Sequence, residues 1–211
     1  MDKMEIQVTK EHYDFSKYSH EDRWVSYYYQ LKEVLEMKPK KVLEIGVGDQ
    51  VFGNYLKSNT TTSYTSLDID PDLKPDVVGD VLELPFKEGE FDVICAFEVL
   101  EHLPYEKFST VLGEFHRVSN KYVALSLPHF GPPLQFSLKL PKINIKKSFK
   151  LTFEKPHVWN GQHYWEIGKK GYSVKKISRA IKDAGFVIKK DFVPHNSQYH
   201  HFFILEKNNS K

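Results

Sequence analysis

The stretch VLEIGVGDQVFG (Val42–Gly53) decides how this chain is read. Lys41–Ile45 is a short apolar run that stops at a glycine, as a buried strand does. Glycine at 46 and again at 48 lets the backbone turn sharply and approach a ligand closely. A helix then begins near Gln50 and runs to Ser58. Its first turn offers free N–H groups and a partial positive charge, so a polar or anionic group is expected there. A dinucleotide site asks for G-x-G-x-x-G. Here the third position is Val51, so that match is incomplete. Glu44, just before the turn, is out of place beside a diphosphate and suits a cationic group such as an amino acid's ammonium. A tight strand–helix turn with no ligand is the bland alternative.

The chain around the turn has the same grammar. Tyr64–Ile69 reads as a second strand, stopped by Pro71. Asp68 at its end lies 22 residues beyond Gly46. An acid about 20 residues after such a turn accepts hydrogen bonds from ribose hydroxyls. Asp70 is a near neighbour that could take that role. Val77–Val78 is a brief third strand, Phe91–Phe97 a fourth and Tyr122–Leu127 a fifth. The helix Tyr105–Val118 places Phe108, Val111, Leu112 and Phe115 on one face. Short apolar strands alternating with helices predict a parallel sheet with right-handed crossovers. Upstream, an arm (1–18) precedes a helix over His20–Met37 that aligns Trp24, Tyr28, Leu31, Val34 and Leu35. After Pro128 the alternation breaks. Residues 129–165 are rich in proline and aromatics and carry six lysines between Lys139 and Lys155. The pattern resumes with a helix over Tyr172–Ala184, a C-terminal Gly185, and two strands, Phe186–Val193 and His200–Glu206, as a terminal hairpin.

Bulk properties narrow the function classes. The chain has 211 residues, 40% apolar and 27% charged, with net charge +2. That predicts a globular chain and argues against one built for nucleic acid. Cys95 stands alone, so neither a disulfide nor a cysteine-rich zinc site is available. The first residues are polar and no run of about 18 apolar residues occurs. A soluble cytoplasmic protein is expected. The organisation expected is a single domain over 1–211: arm and helix 1–38, ligand-binding core 39–128, substrate-side insertion 129–171, and terminal helix and hairpin 172–206.

Four motifs in register, VLEIGVGDQ, LDIDP, GDVLELPFKEGEFDVI and FEVLEHLP, resemble the class I S-adenosylmethionine-dependent methyltransferases. More narrowly they resemble the small-molecule branch that includes quinone-biosynthesis methyltransferases. The resemblance covers 41 to about 128 and, more loosely, 172–206. It implies a Rossmann-like, seven-stranded, mostly parallel sheet of order 3-2-1-4-5-7-6, helices on both faces, and an antiparallel terminal strand. It implies S-adenosyl-L-methionine as cofactor, released as S-adenosyl-L-homocysteine. Glu44, Gly46 and Gly48 would line the methionine end. Asp68 would hold the ribose and Ile69 would pack on the adenine. Asp80 would accept from the adenine amino group beside the Val81 backbone, and Phe97 would border the reacting centre. The third glycine is displaced to Gly53, which puts the local turn shape in doubt.

Methyl transfer by in-line displacement to a small-molecule or lipid-like acceptor is the expected reaction. A non-catalytic cofactor-binding protein and an NAD-dependent oxidoreductase are the alternatives. Glu101, His102 and His129 follow the carboxyl ends of strands, where ligands bind in open α/β sheets, and are the catalytic candidates. His157, His163, Trp159 and Trp165 could close over a substrate or form the insertion's own core. The histidine spacing fits no familiar ligand motif, so no metal site is expected. The segment LKLPKINIKKSFKL (138–151) has three readings: a basic lid over an acidic substrate, a basic amphipathic contact with an anionic membrane, or a solvated hairpin with apolar residues inward and lysines outward. The last is favoured.

Overall fold

A computed structural model describes residues 7–208 apart from Thr152 and Glu154. The first residues of the arm and the end of the NNSK tail lie outside the described residues. In chain order the elements are α1 (Phe15–Tyr18), α2 (Glu21–Glu36), β1 (Lys41–Ile45), α3 (Val51–Asn59), β2 (Ser63–Asp68), β3 (Val77–Val78), β4 (Phe91–Phe97), α4 (Phe108–Val118), β5 (Ser119–Pro128), β6 (Pro133–Leu140), β7 (Ile143–Lys150), α5 (Val174–Asp183), β8 (Phe186–Phe192) and β9 (His200–Lys207). Seven strands form one sheet in the order β3-β2-β1-β4-β5-β9-β8. The first five are parallel, and β9 runs antiparallel to both β5 and β8. The expected order and antiparallel terminal strand are therefore present.

The core sits on both faces of β1 and β4, which is why these strands read as unbroken apolar runs. Leu43, Ile45 and Ile94 pack with Val111, Leu112 and Phe115 of α4 and with Ile177 and Ile181 of α5. Val42, Val93 and Cys95 pack on the other face with Val34 of α2 and Phe52 and Leu56 of α3. Helix α2 buries Val34 and packs Leu31 and Leu35 against the core as its apolar spacing predicts, but its N-terminal half faces differently. Ser26, Tyr27, Gln30, Glu33 and Val34 face inward, while Trp24 and Tyr28 are exposed. Specific polar partners turn the helix this way. Tyr27 hydrogen-bonds Asp49, and Glu33 takes Lys190 from β8 at 2.6 Å.

Side chains alternate along β1, so Glu44 points away from Leu43 and Ile45, toward α3. It is buried there and accepts a hydrogen bond from the Tyr64 hydroxyl. Gly53 makes this possible. A Cβ at that position would lie 2.3 Å from Tyr64 Oη and 2.5 Å from its Cζ. The glycine displaced from the third motif position therefore makes room for a tyrosine that covers a buried acid.

The insertion also departs from expectation. β6 and β7 form a separate antiparallel two-stranded sheet. Its apolar residues do not point inward, because no core lies beneath them. Leu134, Phe136, Ile143 and Phe149 are each between 45% and 58% exposed.

Two outcomes follow from the Glu44 pocket. Alanine favours a helix interior over glycine by about 1 kcal/mol, yet Gly53→Ala should destabilise the protein by roughly 1–3 kcal/mol in urea unfolding, because Tyr64 must leave a buried acid. In Tyr64→Phe the added cost of Gly53→Ala should shrink; equal costs in both backgrounds would contradict the contact. Burial raises the Glu44 carboxyl to about 8 against the Tyr64 hydrogen bond, from an ordinary value of 4.5. The folded state thus holds this proton more tightly than the unfolded chain. Its stabilising contribution is full below about 4.5 and is lost as pH rises through about 8. The melting temperature of Glu44→Gln should fall less than that of wild type between these pH values; parallel curves would contradict the assignment.

Candidate active site

The turn after β1 keeps its shape through contacts that only glycine allows. Gly46 has φ +77° and Gly48 φ +50°, and a Cβ on Gly46 would lie 2.5 Å from Val99 Cγ2. The Gly46 N–H donates to the Leu67 carbonyl at 2.9 Å. Asp68, at the end of β2, accepts from the Val47 N–H at 2.8 Å and from the Asp70 N–H at 2.9 Å. Burial raises the Asp68 carboxyl, and these backbone donors oppose the rise. The start of α3 is already served in part, since Asp49 accepts from the Val51 N–H at 3.2 Å.

These residues open onto one cavity at the carboxyl edge of the sheet. Gly46, Gly48, Asp68, Ile69, Val81 and Phe97 all line it, as the motifs predict. Asp70 lines it too, although one of its oxygens caps the turn that follows by accepting from the Asp72 N–H. Two expected residues are placed elsewhere. Glu44 lies behind the turn, beneath Tyr64. Asp80 uses one oxygen to accept from the Leu82 N–H at 2.8 Å, and it is the flanking Gly79 and Val81 that reach the cavity. The arm supplies a wall that no motif announces. Gln7, Val8, Tyr13 and Tyr18 close the cavity, with Tyr13 against Gly48.

The far end of the cavity is formed by Glu98, Val99, His102 and Leu103. Glu98 follows β4 with φ +55°, a left-handed backbone unusual for a residue with a side chain. The Tyr164 N–H donates to the Glu101 carbonyl at 2.8 Å and ties the returning insertion to this loop. His163 thereby comes to lie edge-on to His102, with ring centroids 5.1 Å apart. Glu101, His102 and His163 each offer a ligand atom, all within 4.8 Å of one another. The Glu101 carboxylate is fully buried and neither oxygen makes a hydrogen bond. Burial, with the Glu98 charge beside it, holds its carboxyl well above the usual range. Burial and the neighbouring His163 lower His102 to about 4.

Both imidazoles are oriented through Nδ1. His102 Nδ1 lies 3.0 Å from the Gln162 carbonyl, and His163 Nδ1 lies 3.1 Å from Glu166 Oε1. With Nδ1–H donating, each Nε2 keeps its lone pair. Such outer partners are how ligating histidines are held. The histidine spacing in sequence carried no sign of this, because the fold joins residues far apart.

His129 does not reach the cavity wall. Its Nδ1 lies 2.8 Å from His201 Nδ1, and His201 Nε2 lies 2.5 Å from Asp191 Oδ1, a chain of contacts at the β5–β9–β8 edge. Burial lowers His129 to about 3, which makes it a weak base near neutrality. Trp165 is core, fully buried with its indole N–H on the Leu103 carbonyl, whereas Trp159 is half exposed. His157 Nε2–H donates to the His163 carbonyl at 2.8 Å, at the edge of this region.

A family model described as a methyltransferase domain matches residues 43–124. A curated protein of Oryza sativa subsp. japonica, named probable tocopherol O-methyltransferase, chloroplastic, is 26% identical over 152 residues. The match takes in 64% of this chain but 42% of that protein, so the chain spans under half the length of the curated relative it matches. Among solved structures, Burkholderia thailandensis 1,6-didemethyltoxoflavin-N1-methyltransferase, with its substrate and S-adenosylhomocysteine bound, aligns with TM-score 0.60 and 15% identity over 95% of this chain and 88% of that one. Haemonchus contortus phosphoethanolamine N-methyltransferase 2, in complex with S-adenosyl-L-methionine, aligns with TM-score 0.58 and 12% identity over 96% of this chain and 60% of that one. At such identities the structural likeness is one of fold. The chain is thus similar to a methyltransferase domain over residues 43–124 and shares the fold of solved S-adenosylmethionine-dependent methyltransferases.

Proposed function

We propose that this protein transfers the methyl group of S-adenosyl-L-methionine to a small-molecule acceptor bound at the Glu98–His102 end of the cavity. One observation carries the reading: a single cavity runs from Gly46, Asp68 and Ile69 to Glu98 and His102. Nucleoside, sulfonium and acceptor would therefore share one enclosure. In the transfer the acceptor–carbon bond forms as the carbon–sulfur bond breaks, and S-adenosyl-L-homocysteine leaves. The sulfonium is already activated, so the protein's work is alignment and exclusion of water. Phe97 and the arm's Tyr13 and Tyr18 supply that enclosure. His102, lowered to about 4 by burial, is a weak base near neutrality like His129, but of the three candidates it alone lines the cavity, where it would meet an acceptor's proton when no cation occupies its Nε2. Glu101 and His129 are less suited, the first holding its own proton and the second lying elsewhere. The named substrates of the relatives, a toxoflavin precursor and tocopherol, support a small-molecule acceptor.

A positive occupant at the acceptor end would let the donorless Glu101, held protonated by burial, give up its proton and ionise. Two oriented imidazoles beside Glu101 suit a divalent cation better than an ammonium. When bound, such an ion would polarise an acceptor oxygen. A single domain over 1–211 and a cytoplasmic place belong to this proposal. The one cysteine, Cys95, is free and buried. Among the described residues no helix is long and apolar enough to cross a membrane.

The direct test is transfer of a labelled methyl group to panels of phenolic and nitrogen-heterocyclic acceptors. Stoichiometric S-adenosylhomocysteine formation is expected; cofactor binding without turnover on any acceptor would favour a non-catalytic binder. Asp68→Ala should weaken cofactor binding by about 1–3 kcal/mol, or roughly 5- to 150-fold. Unchanged affinity would refute the ribose role. In calorimetry with Mn²⁺ or Zn²⁺, the wild type should bind one ion per chain. Glu101→Ala and His163→Ala should lose that ion while retaining cofactor affinity; no saturable binding by the wild type would exclude the cation.

A further inference from the structure

The β6–β7 hairpin gathers its apolar side chains on one of its two faces, with a single lysine among them. Residues directly opposite in an antiparallel pair share a face. The register pairs Leu134 with Phe149, Leu138 with Ile145 and Leu140 with Ile143. With Phe136, these put seven apolar side chains on one face. None is covered: exposure runs from 38% at Leu138 to 58% at Phe149. Lys139 and Lys146 occupy the other face, Lys142 lies at the tip, and Lys147, opposite Phe136, stands within the apolar face between the Leu134–Phe149 and Leu138–Ile145 pairs. Lys150 turns back to the Gly131 carbonyl at 2.8 Å. No acidic residue occurs from Pro128 to Phe153, so no carboxylate of the hairpin neutralises these lysines.

We infer that this hairpin docks the protein on an anionic lipid bilayer. The charge selects the partner. Two copies meeting face to face would bring unneutralised lysines together with no acid to pair them. A nucleic acid would also meet the lysines, but its bases stack on aromatic rings, and five of the seven apolar side chains are leucine or isoleucine. Aliphatic side chains suit acyl chains, while lysines extend their stems to the headgroups. The depth is limited by the backbone. A two-stranded sheet leaves outer N–H and C=O groups unpaired, and these need water. The hairpin therefore lies in the headgroup layer, apolar face down, and does not span. Each strand is roughly 26 Å long at about 3.3 Å per residue, enough to spread the contact over several lipids.

The position of the hairpin gives the contact a consequence. It leaves the sheet at the end of β5, and the chain returning from it carries Gln162 and His163 to the far end of the cavity. Docking would hold that end close to the bilayer, where an acceptor partitioned into lipid is concentrated. The surface contact does not depend on the catalytic reading, and the two are measured separately.

Cosedimentation with vesicles of phosphatidylcholine alone, and of phosphatidylcholine with phosphatidylglycerol, tests this. The full chain should bind the anionic vesicles and leave the neutral ones, with binding weakened by salt. Lys139→Gln, Lys146→Gln and Lys147→Gln combined should reduce affinity on the order of 100-fold, about fivefold per lysine. Leu138→Ser with Ile145→Ser, which leaves every lysine in place, should also abolish pelleting. Cofactor-induced thermal stabilisation should be unchanged in both variants, which shows that the fold and the cofactor site are intact. The inference is overturned if the wild type fails to bind anionic vesicles, if the serine variant pellets like wild type, or if the same substitutions instead dissolve a dimer seen by sedimentation velocity.

Discussion

The grip of Asp68 on the turn after β1 is the contact on which the rest of the site depends. One carboxylate joins the Val47 N–H of the turn to the Asp70 N–H beyond β2. It thereby fixes two crossing loops where parallel strands end and ligands bind. The adjoining Gly46 is wedged against Val99, so the turn is also keyed to the loop after β4. A backbone at φ +77° in contact with a valine methyl leaves no room for a side chain. The glycine turn, Asp68 and the loop after β4 are thus mutually positioned before any ligand arrives. Such preorganisation is what a reaction governed by alignment requires.

The two ends of the cavity differ in their electrostatics. At the turn, the buried acid has its backbone donors, and a neutral ribose can be accommodated without redistributing charge. At the far end, burial raises the proton affinity of both Glu98 and Glu101, the Glu98 charge adds to the rise at Glu101, and Glu101 has no donor. Arg23, the nearby cation that favours ionisation of both, keeps its own guanidinium over the Tyr18 ring at 4.2 Å. That end is therefore incomplete as it stands, and its needs define what can bind there.

Much of this was legible from local pattern. Apolar runs bounded by glycine mark the strands, and the spacing from Gly46 points to Asp68, which lines the cavity wall. The place of Glu44 beneath Tyr64 is legible in period-two alternation, which puts it on the opposite face from Leu43 and Ile45. His163, Gln7 and Tyr13 could not be assigned from spacing, because tertiary folding alone brings them to the loops they touch. Glu98 lies within FEVLEHLP but was passed over, since its left-handed backbone is invisible in composition. The α2 stripe holds at Leu31, Val34 and Leu35 but fails at Trp24 and Tyr28, where the long-range pairs Tyr27–Asp49 and Glu33–Lys190 outweigh their burial. The hairpin was foreseen as an element, but its exposed apolar face was not, because periodicity shows a two-faced strand without showing what covers it.

The central claim is that the cavity between the glycine turn, Asp68 and the arm is built for an adenosyl sulfonium. Thermal unfolding of the full chain with S-adenosylmethionine, S-adenosylhomocysteine, NAD and NADP in parallel tests it most directly. A ligand at about 100 times its dissociation constant adds roughly 2.7 kcal/mol to the folded state, a resolvable rise in melting temperature. The account predicts that both adenosyl compounds stabilise the protein and that neither dinucleotide does. Stabilisation by NAD or NADP alone would contradict it.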